Sequence, residues 1–144
     1  MPKVKLWLVR GLVGFVFFFN VQCAVVFILS PQSYVAGFEL SGPTGEAMVR
    51  GMGILFLMWN VPYAVALWHP LRRRTSLVEA AVMQAVGVVG ETCLLAAFPA
   101  GHPVFQQTGL RFILFDGTGL VLLLIAVFIT RRANTRRVQP EMRT

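Results

Sequence analysis

From Leu6 to Ser30 the chain carries a single ionised side chain, Arg10, and three further apolar runs, 46–68, 76–98 and 108–130, carry two each. Each run has about the 20 residues needed to cross ~30 Å of hydrocarbon at ~1.5 Å per residue. Few other folds are open to such a chain. The composition agrees: 56% of residues are hydrophobic and 13% charged, with a mean hydropathy of +0.69, too little polarity to coat a soluble domain. The expected architecture is an all-α integral membrane four-helix bundle, one domain over residues 1–130, followed by a basic tail at 131–144. That tail is expected to fray or to lie along lipid headgroups.

Lys3, Lys5 and Arg10 ahead of an oily core also fit a secretory signal. The core continues to Ser30, however, with no small-x-small cleavage site after it, so the segment is read as a retained first helix.

Positive charge sets the expected orientation, because short Lys/Arg-rich segments stay cytoplasmic. The N-terminal segment, the 69–75 connection with Arg72, Arg73 and Arg74, and the tail with Arg131, Arg132, Arg136, Arg137 and Arg143 are all basic. Residues 31–45 contain no Lys or Arg and one acid, Glu39, and residues 99–107 have no formal charge. Both termini are therefore expected in the cytoplasm. Topology and anionic headgroups account for the net charge of +7 and the pI near 10.8, and no nucleic-acid-binding motif accompanies them.

This topology places the polar residues by depth. Counted from the outer helix ends at ~1.5 Å per residue, Arg111 lies ~5 Å deep, Arg50 ~6 Å, Glu91 ~10 Å and Asp116 ~12 Å. Asn20 and Gln22 reach similar or greater depths, and Glu46 marks the outer rim. A lone charge near the bilayer centre costs at least ~2.5 kcal/mol, so such groups face the bundle interior, pair or neutralise. The expectation is an interhelical network in which Glu91 pairs with Arg50 or Arg111 and Asp116 takes the other arginine. Gln84, seven residues before Glu91, shares its stripe and should also point inward.

Three roles fit such a cluster. It can lock helix register, it can line a cavity in which an arginine holds an anionic or carbonyl head group, or it can form part of a proton path. The last needs further polar steps in the inner half, where Gln84, Asn60 and Glu79 are the residues on offer.

Other features are secondary. Pro62 cannot donate to the Met58 carbonyl and predicts a kink beside Asn60. Ala81 and Ala85 make a small-xxx-small pair that lets helices approach closely. Trp7 and Trp68 read as interfacial anchors. The outer segment "PQSYVAGFELSGPTG" is turn-rich with an amphipathic middle that can rest on the bundle as a cap. The histidines, "WHP" and "GHP", fall on opposite sides of the membrane and cannot share a metal or haem, although His102 can join Glu39 at the outer mouth. Cys23 and Cys93 lie at comparable depths, ~10 and ~8 Å, so a bridge is geometrically open, but buried free thiols are the default and there is no C-x-x-C. No cofactor signature appears.

Four short helices, a first outer loop running into "EAMVRGMGILFLMW" with its Arg50-Gly51 pair, and charged third and fourth helices resemble the DoxX-like group of small bacterial membrane proteins. The resemblance spans about Leu6 to Thr130. It implies the four-helix fold and a multi-pass location in the bacterial cytoplasmic membrane. Some members of that group are associated, as accessory membrane subunits, with quinol-linked or thiol oxidation and most have no assigned activity, so the resemblance implies fold more than function.

Two functions are carried forward. One is a non-enzymatic membrane protein, either an accessory subunit of a larger complex or homo-oligomer or a binder of a lipid, quinone or other lipophilic molecule, with Asn20, Arg50, Gln84, Glu91, Arg111 and Asp116 as site or lock. The other is a small membrane enzyme using Glu91 or Asp116 as acid/base.

Overall fold

Long runs of Leu, Val, Phe and Ala satisfy their backbone polar groups most cheaply by coiling, since each helical N–H finds its acceptor four residues back without help from solvent. The structure, a computed structural model, describes residues 3–138, with side chains through residue 131. Its elements are α1 (Lys3–Leu29), α2 (Gln32–Val35), a 3-10 turn (Ala36–Phe38), α3 (Gly42–Trp59), α4 (Val61–Trp68), α5 (Arg74–Ala97) and α6 (Pro103–Val138). Four spans are long and apolar enough to cross a membrane: Lys3–Leu29, Gly42–Trp68, Arg74–Ala97 and Pro103–Arg131.

The helices begin earlier than the apolar runs. Pro103 occupies the first position of α6, where its missing N–H costs nothing, and polar Gln106 and Gln107 extend the helix before the oily stretch starts. The far end of α6 likewise passes Thr130 to reach Val138, so the expected tail opens as helix. Residues 139–144 lie outside the described residues.

The outward faces are oily. Leu114 is 71% exposed, Phe18 62% and Val89 61%. Helices apolar on the inside and the outside alike are those of a membrane span or a larger core. Exposed hydroxyls on these faces fold back on their own helix, Thr92 Oγ1 donating to the Val88 carbonyl at 2.6 Å and Thr118 Oγ1 to that of Leu114 at 2.8 Å.

The second span is broken. Helix α3 ends at Trp59, Asn60 forms a turn, and α4 resumes at Val61. Pro62 withholds the N–H that Met58's carbonyl would receive and crowds the preceding turn. The Asn60 side chain occupies the break, its Nδ2 donating to the Phe56 carbonyl at 2.7 Å. The break lets the two halves take different neighbours: α4 packs on α5 and α1, whereas α3 packs along α1 and not along α5. Helix α6 fills the remaining side against α5 and α1.

Two packed layers result. Around α4, Val9, Val13, Val16, Leu77, Ala80, Leu123 and Ala126 close a dense core about Tyr63. At the opposite end, near Glu39, the core is aromatic: Phe27 is fully buried and stacks with Phe56 at 5.5 Å between ring centroids. There α1 and α3 touch at Gly53, where an added Cβ would stand 2.8 Å from the Ala24 carbonyl oxygen.

Candidate functional site

The polar residues within the spans converge where the two layers meet. Tyr63 of α4, fully buried, donates its hydroxyl to Gln84 Oε1 at 2.5 Å. Gln84 of α5 in turn donates Nε2 to Asp116 Oδ1 at 2.9 Å and to the Asp116 carbonyl at 3.3 Å. Three spans are thus joined by one chain of hydrogen bonds. Glycines make room for it: a Cβ on Gly119 would meet Gln84 Nε2 at 3.0 Å, and one on Gly87 would meet Asp116 Oδ2 at 3.0 Å. Since Gly87 lies one turn before Glu91 on α5, the two carboxylates occupy neighbouring levels.

Beside this chain lies a small cavity of about 90 Å³, bordered by Asn20 and Cys23 of α1, Asn60, Gln84 and Glu91, and Asp116. At liquid density that is room for about three waters or a compact head group. Among the described residues, two buried side-chain oxygens of its lining residues have no hydrogen-bond partner, Asn60 Oδ1 and Glu91 Oε2.

Above it opens a chamber of about 560 Å³, inside the range of ordinary small-molecule sites. It is the space left where α3 leans away from α5. Met48 and Met52 form one wall, Leu94, Leu95 and Phe98 the facing one, and Phe112 part of its base. Phe56, Glu91 and Phe112 border the chamber and the small cavity alike. Its sides reach the molecular surface within the spans, since Met48 is 59% and Leu94 56% exposed.

The connection between α1 and α3 roofs the chamber. Helix α2 and its 3-10 turn end in a Schellman arrangement, Leu40 N–H donating to the Val35 carbonyl and Glu39 N–H to that of Ala36. Glu39 takes the left-handed position of that motif at φ 55°, a conformation usually left to glycine or asparagine. Its side chain explains why a glutamate stands there. The carboxylate accepts from His102 Nδ1 and from the Phe105 N–H at 3.1 Å, capping the positive N-terminus of α6 from a remote loop. The His102 hydrogen bond above all, then that of Phe105, holds the Glu39 carboxyl below its ordinary range.

Four residues expected from the sequence, Asn20, Gln84, Glu91 and Asp116, border one cavity. The arginines do not join them, and the expected ion pairs are corrected. Arg50 pairs with Glu46 one turn away on its own helix, at 3.8 Å and largely exposed, so the local partner is the one within reach. Arg111 is exposed and borders a separate cavity of about 510 Å³ with Gln22, Ser33 and Thr108. Phe112 and Phe115 border both that cavity and the acidic one and stand between them. Five residues correspond to about 140° round a helix, so Arg111 and Asp116 leave α6 in different directions. Cys23 and Cys93 are free thiols, Cys23 half-buried at the small cavity and Cys93 exposed rather than buried.

Tyr63 did not emerge from the sequence as a site residue. Its signal was its position three residues after Asn60, on the same stripe of a broken helix. Set against known protein families, curated proteins and solved structures, the chain matches none of them.

Proposed function

We propose that this is a multi-pass protein of the bacterial cytoplasmic membrane, both termini inside, that binds a lipophilic molecule in the chamber between α3, α5 and α6. The observation that carries the reading is the adjacency of an apolar chamber of about 560 Å³ to an acidic cavity of about 90 Å³ across the shared residues Phe56, Glu91 and Phe112. An apolar space with a few convergent polar groups at one end is the usual form of a small-molecule site. Met48 and Leu94, both exposed on an oily surface, set its sides at bilayer depth, so a ligand enters laterally from the lipid. The excess of arginine at one end of the bundle supports the orientation, and the chamber then belongs to the outer half of the membrane. Kinship with the DoxX-like group and service as an accessory subunit belong to the same proposal; the four spans and their spacing support them.

A second reading, a membrane enzyme with Glu91 as acid/base, is favoured by one observation: Glu91 borders both spaces, and its buried Oε2 has no hydrogen-bond partner among the described residues. A free carboxylate oxygen facing a bound molecule is what proton transfer requires.

Native mass spectrometry of protein released gently from its own membranes tests the binding reading. The unaltered chain should carry a discrete small molecule. Leu94→Trp, which fills the chamber from an exposed position that tolerates bulk, should lose it while keeping the same melting temperature. A bare chain, or identical adducts on both proteins, would overturn the reading.

A further inference from the structure

The chemistry of the small cavity selects the head group that the chamber's occupant carries. Glu91 and Asp116 both border the cavity, and among the described residues no lysine or arginine borders either it or the chamber. The nearest arginines by sequence depth are occupied or turned away, Arg50 on Glu46 and Arg111 beyond the Phe112 and Phe115 rings.

The hydrogen bonds around the two acids leave particular oxygens unfilled. Asp116 Oδ1 already accepts from Gln84, whose own oxygen is taken by Tyr63. That leaves Glu91 Oε2 without a donor, and the Asn60 side chain, 4% exposed, with Nδ2 committed to Phe56 and Oδ1 free. Asn60 comes from the helix break and Glu91 from α5, so two elements independently bring a residue with an unfilled oxygen to the lining of one cavity. A buried acceptor without a donor costs about 1–3 kcal/mol, and the donors on the cavity's lining, Asn20 and Trp59, are neutral, so an anionic head would set a further negative charge beside two carboxyl groups with no cation to offset it.

The geometry points to a lipophilic primary or secondary amine, bound in its protonated form with its N–H groups on Glu91 Oε2 and Asn60 Oδ1 and its apolar body in the chamber. This rests on the binding reading above and reverses the polarity expected when an arginine was assigned to the head group. An ammonium offers several donors and one positive charge in a compact head, and charge-assisted bonds to a carboxylate are about twice as strong as neutral ones. Around it the chamber is lined mainly by aromatic, methionine and leucine side chains, which suit an alkyl or aryl body and place π faces near a cation.

Trp59 borders the cavity and supplies an internal reporter. Trp7 and Trp68, 65% and 76% exposed, can be changed to phenylalanine without touching the site. In this background, reconstituted into phosphatidylcholine nanodiscs, dodecylamine, dodecanol and dodecanoate are titrated against Trp59 fluorescence. Dodecylamine should saturate at a concentration at least about tenfold below that for dodecanol, a difference of about 1.4 kcal/mol, with dodecanoate weakest. Glu91→Gln should abolish the preference and Glu91→Asp should keep part of it, while dodecanol binding changes little in either.

Equal affinity for amine and alcohol, both lost in Leu94→Trp, would overturn the amine assignment and leave the lipophile-binding reading standing. Binding of none of the three by a folded protein would overturn both. Preference for dodecanoate would restore an anionic head group and contradict the inference.

Discussion

Glu91 shows how a residue can be placed by sequence and still have its partner misjudged. Its depth followed from counting along an oily helix, but its environment depended on which way Arg50 and Arg111 turn. Arg50 had Glu46 four residues away on one face of its own helix, a relation open to inspection in the sequence and within reach without any interhelical approach. The energetic expectation changes accordingly. An ion-paired Glu91 would lose stability on neutralisation, whereas an acid with an unpartnered buried oxygen loses little, so Glu91→Gln should leave the melting temperature nearly unchanged. Tyr63→Phe should behave differently. It strands Gln84 Oε1 in a buried site, at a cost of about 1 kcal/mol, and differential scanning of the two variants side by side checks the contrast. Glu39 makes the third residue-level prediction. Its carboxyl is held below the ordinary range when folded, so its hold on the roof is complete above that range and lost as pH falls through the lowered value. Amide exchange in residues 31–41, corrected for intrinsic rates, should rise on acidification, and Glu39→Gln should show raised exchange at every pH.

At the scale of elements, the four spans were legible because twenty-residue apolar runs have one efficient solution in lipid. Their ends were less so, since hydropathy marks the oily portion and not the helix: Pro103 starts α6 five residues before the apolar run at Thr108. The break at Asn60 was visible in Pro62. Its consequence was not, because which neighbour each half of a broken helix takes is decided by packing across the bundle. One such packing contact is Gly53, where a side chain would press on the Ala24 carbonyl and on Phe27. Backbone cannot give as a flexible side chain can, so Gly53→Ala should destabilise by about 1–3 kcal/mol through overpacking. Gly51→Ala, two residues away with open space around it, should be neutral or slightly stabilising. Equal melting temperatures for the two would contradict the close α1–α3 approach.

For the whole molecule, the division of labour follows from the broken span. The layer around Tyr63 is dense, with α1, α4, α5 and α6 closed in a ring, each packed on its two neighbours. The layer toward Glu39 is opened by the departure of α3 from α5 and covered by a short connection pinned to α6. A polar seam at the boundary gives the opened layer an acidic floor. The central claim is that this opened layer holds one kind of molecule and not bulk lipid. Site-specific photo-crosslinking in intact membranes tests it most directly, with benzoylphenylalanine placed at Leu95 inside the chamber or at Val121, 56% exposed on the outer surface of α6. The account predicts a single small-molecule adduct at position 95, diminished in the Glu91→Gln background, and a mixture of bulk phospholipids at position 121. The same phospholipid mixture at both positions, indifferent to Glu91, would contradict it.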